Sequence, residues 1–94
     1  MDISFDAIKN ARNIAIRGLN FQQVAAFDFD GAKFWQDMHQ AYSEPRIVAL
    51  GYLEDRLHVL VFCETAHGIR VISFRKSNTR EGAKHGFALA RDRR

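Results

Sequence analysis

Apolar positions along this chain recur at helical spacing, about 3.6 residues, up to residue 27, and about every second residue from residue 33 onward. In the first part, Asp6 is placed to cap a helix over residues 7–17, in which Ile8, Ala11, Ile14 and Ala15 recur at helical spacing. Gly18 follows where a left-handed C-terminal cap is expected. Asn20 offers a second N-cap, for a helix over residues 21–27 with Phe21, Val24 and Ala25 on one face. The Asp28-Phe29-Asp30-Gly31 turn ends it. Residues 3–5 read either as a short strand or as the lead-in to the first helix.

The second part predicts four strands, over residues 33–38, 46–53, 57–64 and 69–76. Connections at 54–56 and 65–68 are short enough for hairpins, so the last three strands form an antiparallel meander. Residues 57–64 are apolar at nearly every position, which places that strand centrally, covered on both faces. The segment 39–45, holding the only proline, Pro45, is the longest irregular piece. Asn78 with Glu81 three residues on resembles a capping box and opens a helix through about residue 90, followed by a frayed tail at 92–94. The expected fold is α+β: two N-terminal helices, a four-stranded, mainly antiparallel sheet and a C-terminal helix, in one domain over residues 1–94.

Charge sharpens this picture. Residues 70–94 hold 8 Lys and Arg against 2 Asp and Glu, whereas residues 1–69 hold 6 against 9, so the overall +3 conceals a basic end and an acidic remainder. A basic face of this kind points to a polyanion. No apolar run approaches the roughly 20 residues of a membrane span, so the expectation is a cytoplasmic protein without a membrane partner. The single cysteine, Cys63, lies inside an apolar strand and reads as a small buried hydrophobe. His39, His58, His67 and His85 lack the paired spacing of a zinc site, so neither metal nor cofactor is expected, and His58 reads as a structural histidine.

The stretch from Arg70 to Glu81 carries most of the candidate chemistry. Strict alternation places Arg70, Ile72, Phe74 and Lys76 on one side of the strand and Val71, Ser73 and Arg75 on the other. Arg75, Lys76 and Arg80 cluster at the strand-to-helix junction, where they read either as a phosphate site or as a solvated strand end. Metal-free RNA cleavage needs a group to take the ribose 2′-OH proton, a cation for the phosphorane and an acid for the leaving oxygen. Arginine supplies only the second role. Glu64, Glu81 and His85 are the titratable candidates nearby, and the spacing of Glu81 and His85 permits a hydrogen bond across one helical turn. Phe29, Phe34 and Trp35 read as core aromatics more readily than as base-stacking platforms.

Four elements together resemble the BrnT toxin family: Ser4-Phe5-Asp6 with Lys9 and Asn13; Gly18-Leu19-Asn20-Phe21; Arg46-Ile47-Val48-Ala49-Leu50-Gly51; and Arg70-Val71-Ile72-Ser73-Phe74-Arg75-Lys76 with Glu81. The resemblance implies a bacterial ribonuclease toxin with a RelE-like fold, neutralised by a BrnA-like antitoxin and reaching operator DNA only through the antitoxin complex. It makes Arg70, Ser73, Arg75, Lys76 and Glu81 the site positions. His85 joins them as a titratable neighbour, and Arg75, Lys76, Arg80 and Lys84 as RNA contacts. The chain departs from the pattern at Ile16-Arg17-Gly18, where family members commonly carry Lys-His-Gly, and at His85 and Phe87, where a tyrosine is often found. A catalytically silent relative that only binds antitoxin or nucleic acid is therefore the second reading. The acidic side bearing Asp28, Asp30 and Asp37 offers a dock for a basic antitoxin segment, and the cationic site one for an acidic segment.

Overall fold

The computed structural model describes residues 1–91, and the tail expected at 92–94 lies outside them. Five strands form one mixed sheet in the order β1-β5-β4-β3-β2: β1 (Asp2–Phe5), β2 (Lys33–Gln36), β3 (Ile47–Leu53), β4 (Arg56–Glu64) and β5 (Gly68–Lys76). One long helix, α1 (Ala7–Arg17), a 3-10 segment (Phe21–Ala26) and a short helix, α2 (Thr79–Lys84), complete it. The expected four-stranded sheet flanked by two N-terminal helices and a long C-terminal helix is therefore wrong in several specific ways.

Residues 2–5 are a strand, paired in parallel with β5 from Asp2 opposite Gly68 to Phe5 opposite Val71. A Cβ at Gly68 would lie 2.0 Å from the Asp2 carbonyl oxygen, so only glycine admits this approach. Residues 21–26 form a 3-10 turn rather than an α-helix. Asn20 and Gln23 close a capping box around it, Phe21 and Val24 are buried, and Phe27 leaves to bridge Leu53.

The C-terminal helix stops at Lys84, six residues short of expectation. Gly86 adopts a left-handed conformation, with φ of 80°, and turns the chain back over the sheet. The resulting strap is tied down by the Phe87 amide donating to Gly82, the Leu57 amide to Leu89 and the Arg91 amide to Asp55. Beneath it Leu50, Leu57 and Val59 form a small cluster with Phe87 and Leu89.

The main core lies on the other side of the sheet, where Leu19, Phe21, Val24 and Phe27 pack on Ala49, Leu60, Phe62, Val71 and Phe74. Central β4 is buried on both faces along most of its length, as its continuous apolar run requires. Helix α1 is capped by Asp6, whose carboxylate accepts from the Ile8 and Lys9 amides and is thereby held below the usual range. Of its residues only Asn13 is buried. Asn13 Nδ2 donates to the carbonyls of Leu19 and Phe74, at 2.8 and 3.0 Å, so the helix is moored by its polar side.

Candidate RNA-facing site

A register shift in the β4–β5 ladder decides which side chains meet. Val61 pairs with Ser73 and Phe62 with Val71, leaving Ile72 as the extra residue of a bulge. Strict alternation along β5 therefore fails. Residues opposite one another share a face, so Arg70, Ser73 and Arg75 stand on the face away from α1, while Val71, Phe74 and Lys76 stand on the core side.

On the open face the chain forms a cleft of about 340 Å³ bordered by Trp35, His39, Val59, Arg75, Lys84 and His85, with Glu81 at its wall. Its central feature is a bidentate pair. Arg75 Nη1 and Nη2 donate to the two Glu81 carboxylate oxygens at 2.8 and 2.6 Å. The Glu81 carboxylate also accepts from the Asn78 amide, and the Asn78 side-chain Oδ1 accepts from the Glu81 amide in return, so the α2 capping box fixes the partner of Arg75. Arg75 holds the Glu81 carboxyl down to about 2, with the Asn78 hydrogen bond adding to the effect. Glu81 is thus ionised at any working pH.

His85 caps α2 and stacks on Trp35, with ring centroids 4.5 Å apart and planes 11° apart. The expected Glu81–His85 hydrogen bond is replaced, among the described residues, by this stack and by the Arg75 pair. Lys33 Nζ donates to the His85 carbonyl at 2.7 Å and ties strand β2 to the end of α2. Trp35 is 37% exposed, so the core role expected of it is overturned: register with Val48 turns its ring to the open face. Phe34 is also exposed, whereas Phe29 packs on the core.

The remaining predicted positions separate. Arg70 is five residues down the strand, ion-paired with Glu44, which raises its pKa, beside Tyr42, Arg46 and Cys63. Ser73 sits between the two arginines on β5 and also borders the groove beside α1. Lys76 lies across the sheet, in a cavity of about 560 Å³ that it shares with Arg17, Gln23, Arg56, His58 and Arg75. Arg80 and Lys84 are exposed on α2 and make no ion pair with a described residue. Glu64 is exposed at the far end of β4, and Cys63 is buried.

His58, at 3% exposure, is the structural histidine its position implied. Its Nδ1 lies 2.7 Å from the Arg56 carbonyl, and its ring packs against Phe74. Burial lowers its pKa, so the ring is held neutral, with Nδ1 donating. Asp28 pairs with Arg91 and accepts from the Gly31 amide, and Asp37 is held by the His39 amide and the Tyr42 hydroxyl. Two of the three carboxylates expected to receive a basic partner are thus engaged internally. Among the described residues no group of three His, Cys, Asp or Glu side chains is close enough to hold a metal ion. No described helix is long and apolar enough to cross a membrane.

Fold and site define a small sheet-and-helix protein with cationic cavities at the end of β5. The chain belongs to the BrnT family: the family described as ribonuclease toxin, BrnT, of type II toxin-antitoxin system matches residues 5–81. It is by that membership a type II ribonuclease toxin with an antitoxin protein as its partner. No curated protein matches the chain.

Proposed function

We propose that this protein is a cytoplasmic, metal-independent endoribonuclease whose reaction takes place in the cleft between Arg75, Glu81 and the Trp35–His85 stack, and that a BrnA-like antitoxin neutralises it. In this reaction the ribose 2′-oxygen forms a bond to phosphorus and the bond to the 5′-oxygen breaks. One proton leaves the 2′-OH and one reaches the departing oxygen, giving a 2′,3′-cyclic phosphate and a 5′-OH. Arg75 meets the charge that develops on the phosphorane. Glu81, with its pKa near 2, is far too weak a base for the proton step and acts by aiming the Arg75 fork. His85 is the proton-transfer group, presented to the cleft by its stack on Trp35, whose ring also offers a face to a splayed base. Arg80 and Lys84 hold flanking phosphates, and Lys76 reaches the strand from the other side of β5. Arg70 and Ser73 serve the site at a distance along the same strand. Operator DNA is reached only through the antitoxin complex.

The observation that carries this reading is the bidentate Arg75–Glu81 pair on the wall of the cleft that holds His85. Its test is cleavage of RNA by purified protein in excess chelator, with product ends analysed. Cyclic phosphate ends support the mechanism; 3′-OH ends contradict it. A second reading, a silent relative that only binds its antitoxin, draws on Arg17: the position lines the large cavity together with Arg75, and a guanidinium cannot transfer a proton at working pH. Steeply salt-dependent RNA binding without scission is its signature.

A further inference from the structure

Helix α1 is turned inside out relative to an ordinary surface helix. Asn10 and Asn13 face the protein, Asn10 receiving the Phe21 amide and donating to Asn20, and Asn13 spanning the Leu19 and Phe74 carbonyls. Ile8 and Ile16 face solvent at 72% and 74% exposure, and Ile14 is exposed as well. Ile8, Arg12 and Ile16 are spaced by four and form one stripe along the helix. Arg12 and Ile16 of that stripe line a groove of about 190 Å³ together with Lys9, Asn13 and Arg17 of α1, Phe21, and Ile72 and Ser73 of β5, and Ile8 extends the stripe beyond it. The groove exists because β1 pairs only with Gly68 to Val71, leaving the rest of the β5 edge to face the helix. Among the described residues lining it, Ile16, Phe21 and Ile72 are apolar, Lys9, Arg12 and Arg17 are cationic and none is a carboxylate, while Asp6, close to Lys9 and Arg12, caps α1.

We infer that the α1–β5 groove is where the antitoxin docks, through an amphipathic helix whose apolar side chains cover Ile8, Ile16 and Ile72 and whose Asp and Glu residues face Lys9, Arg12 and Arg17. Exposed isoleucines argue for a protein rather than an RNA, since a phosphate backbone gains nothing from them. The rim charge argues for an acidic segment, and the four-residue spacing of the stripe for a helix laid alongside. Arg17 borders both this groove and the cavity containing Arg75 and Lys76. A segment docked on α1 therefore ends against the wall of that cavity and restricts RNA entry from that side. The inference rests on membership of a toxin–antitoxin family and not on the proposed cleavage chemistry, so the two fail separately.

The test measures binding of the antitoxin protein to the full-length toxin by calorimetry. Ile8→Glu/Ile16→Glu is expected to weaken binding by about 100-fold, and Lys9→Glu/Arg12→Glu by about tenfold with a flatter salt dependence. Ile8→Ser/Ile16→Ser, a milder change at the same exposed sites, is expected to weaken it by about tenfold and serves if the glutamates disturb folding, which thermal melts report. RNA binding by all three variants should match the wild type, read with a fluorescent oligonucleotide. Unchanged antitoxin affinity in the apolar variants overturns the inference. So does loss of a wild-type dimer in the isoleucine variants with antitoxin affinity intact, which would assign the face to a second copy. Weakened oligonucleotide binding by Lys9→Glu/Arg12→Glu with antitoxin affinity intact would overturn it in favour of RNA.

Discussion

Arg75 and Glu81 are joined by two parallel hydrogen bonds of 2.8 and 2.6 Å, and the same carboxylate closes the capping box that starts α2. One side chain thus links the geometry of the strand end to the integrity of the helix that carries His85. Glu81→Gln keeps the shape and removes the charge. Its expected effect is a cleavage rate lower by about tenfold with KM within about threefold, because the Arg75 fork loses its anchor rather than its charge. The variant should also lose about 1 kcal/mol of stability, the scale of a partly exposed pair. A fall in KM affinity with unchanged kcat would assign Glu81 to substrate binding instead.

Glu81 and His58 both make stability fall as pH drops, but in separate windows. The Glu81 carboxyl is lowered from 4.5 to about 2, so the stability it confers is complete above pH 4.5 and is lost as pH falls from there toward 2. His58 is buried neutral with its pKa lowered from 6.5, so the unfolded chain takes up that proton first. Stability therefore begins to fall as pH drops below 6.5 and continues to fall until His58 itself protonates in the folded state. Chemical denaturation across this range should show the upper limb flattened in His58→Gln and the lower limb flattened in Glu81→Gln. An unaltered upper limb in His58→Gln would contradict the neutral assignment.

His85→Ala is expected to lower cleavage by about 100-fold and to remove one limb of the pH–rate profile, the mark of a lost proton-transfer group. Trp35→Ala should cost about tenfold through KM, as a lost stacking platform. The second histidine bordering the cleft, His39, provides the internal comparison. Activity that survives His85→Ala but not His39→Ala would move the proton step to the loop before β3.

A methyl group at Gly68 meets the Asp2 backbone at 2.0 Å, so Gly68→Ala must push β1 off the sheet. The expected cost is about 1–3 kcal/mol, with amide exchange accelerated at Ile3 and Phe5 but not across the β3–β4 ladder. Phe74→Ala, which empties a fully buried site between Phe27 and His58, should cost about 3–5 kcal/mol and destabilise the whole sheet.

The β3–β4–β5 meander was legible in the sequence because its pairings are local and its apolar positions alternate over long runs. β1 was legible only as one of two readings of residues 3–5, since four residues carry little periodicity and their partner lies more than sixty residues away. The bulge at Ile72 escaped for a different reason: Val71 and Ile72 are equally apolar, so nothing in composition marks where the phase reverses. That reversal puts Arg70 with Arg75 and sends Lys76 to the opposite side, dividing a cluster that reads as continuous. α1 misled because apolar spacing identifies a face without saying what covers it, and here buried asparagines moor the other side. The end of α2 did carry a signal in Lys84-His85-Gly86, a basic last turn followed by a glycine. Arg75, Glu81 and His85 border one cleft because α2 follows directly on the end of β5. Trp35, forty residues upstream, joins them only through the sheet.

Whether the Arg75 cleft cuts RNA without a metal is decided by end-labelled RNA in excess chelator, with wild-type protein beside Arg75→Ala. Wild-type scission leaving cyclic phosphate ends is expected, with a loss of at least about 100-fold in the variant, which melts within a few degrees of wild type. Equal cleavage by the two proteins would contradict metal-free cleavage at Arg75, and so would wild-type activity that vanishes with chelator.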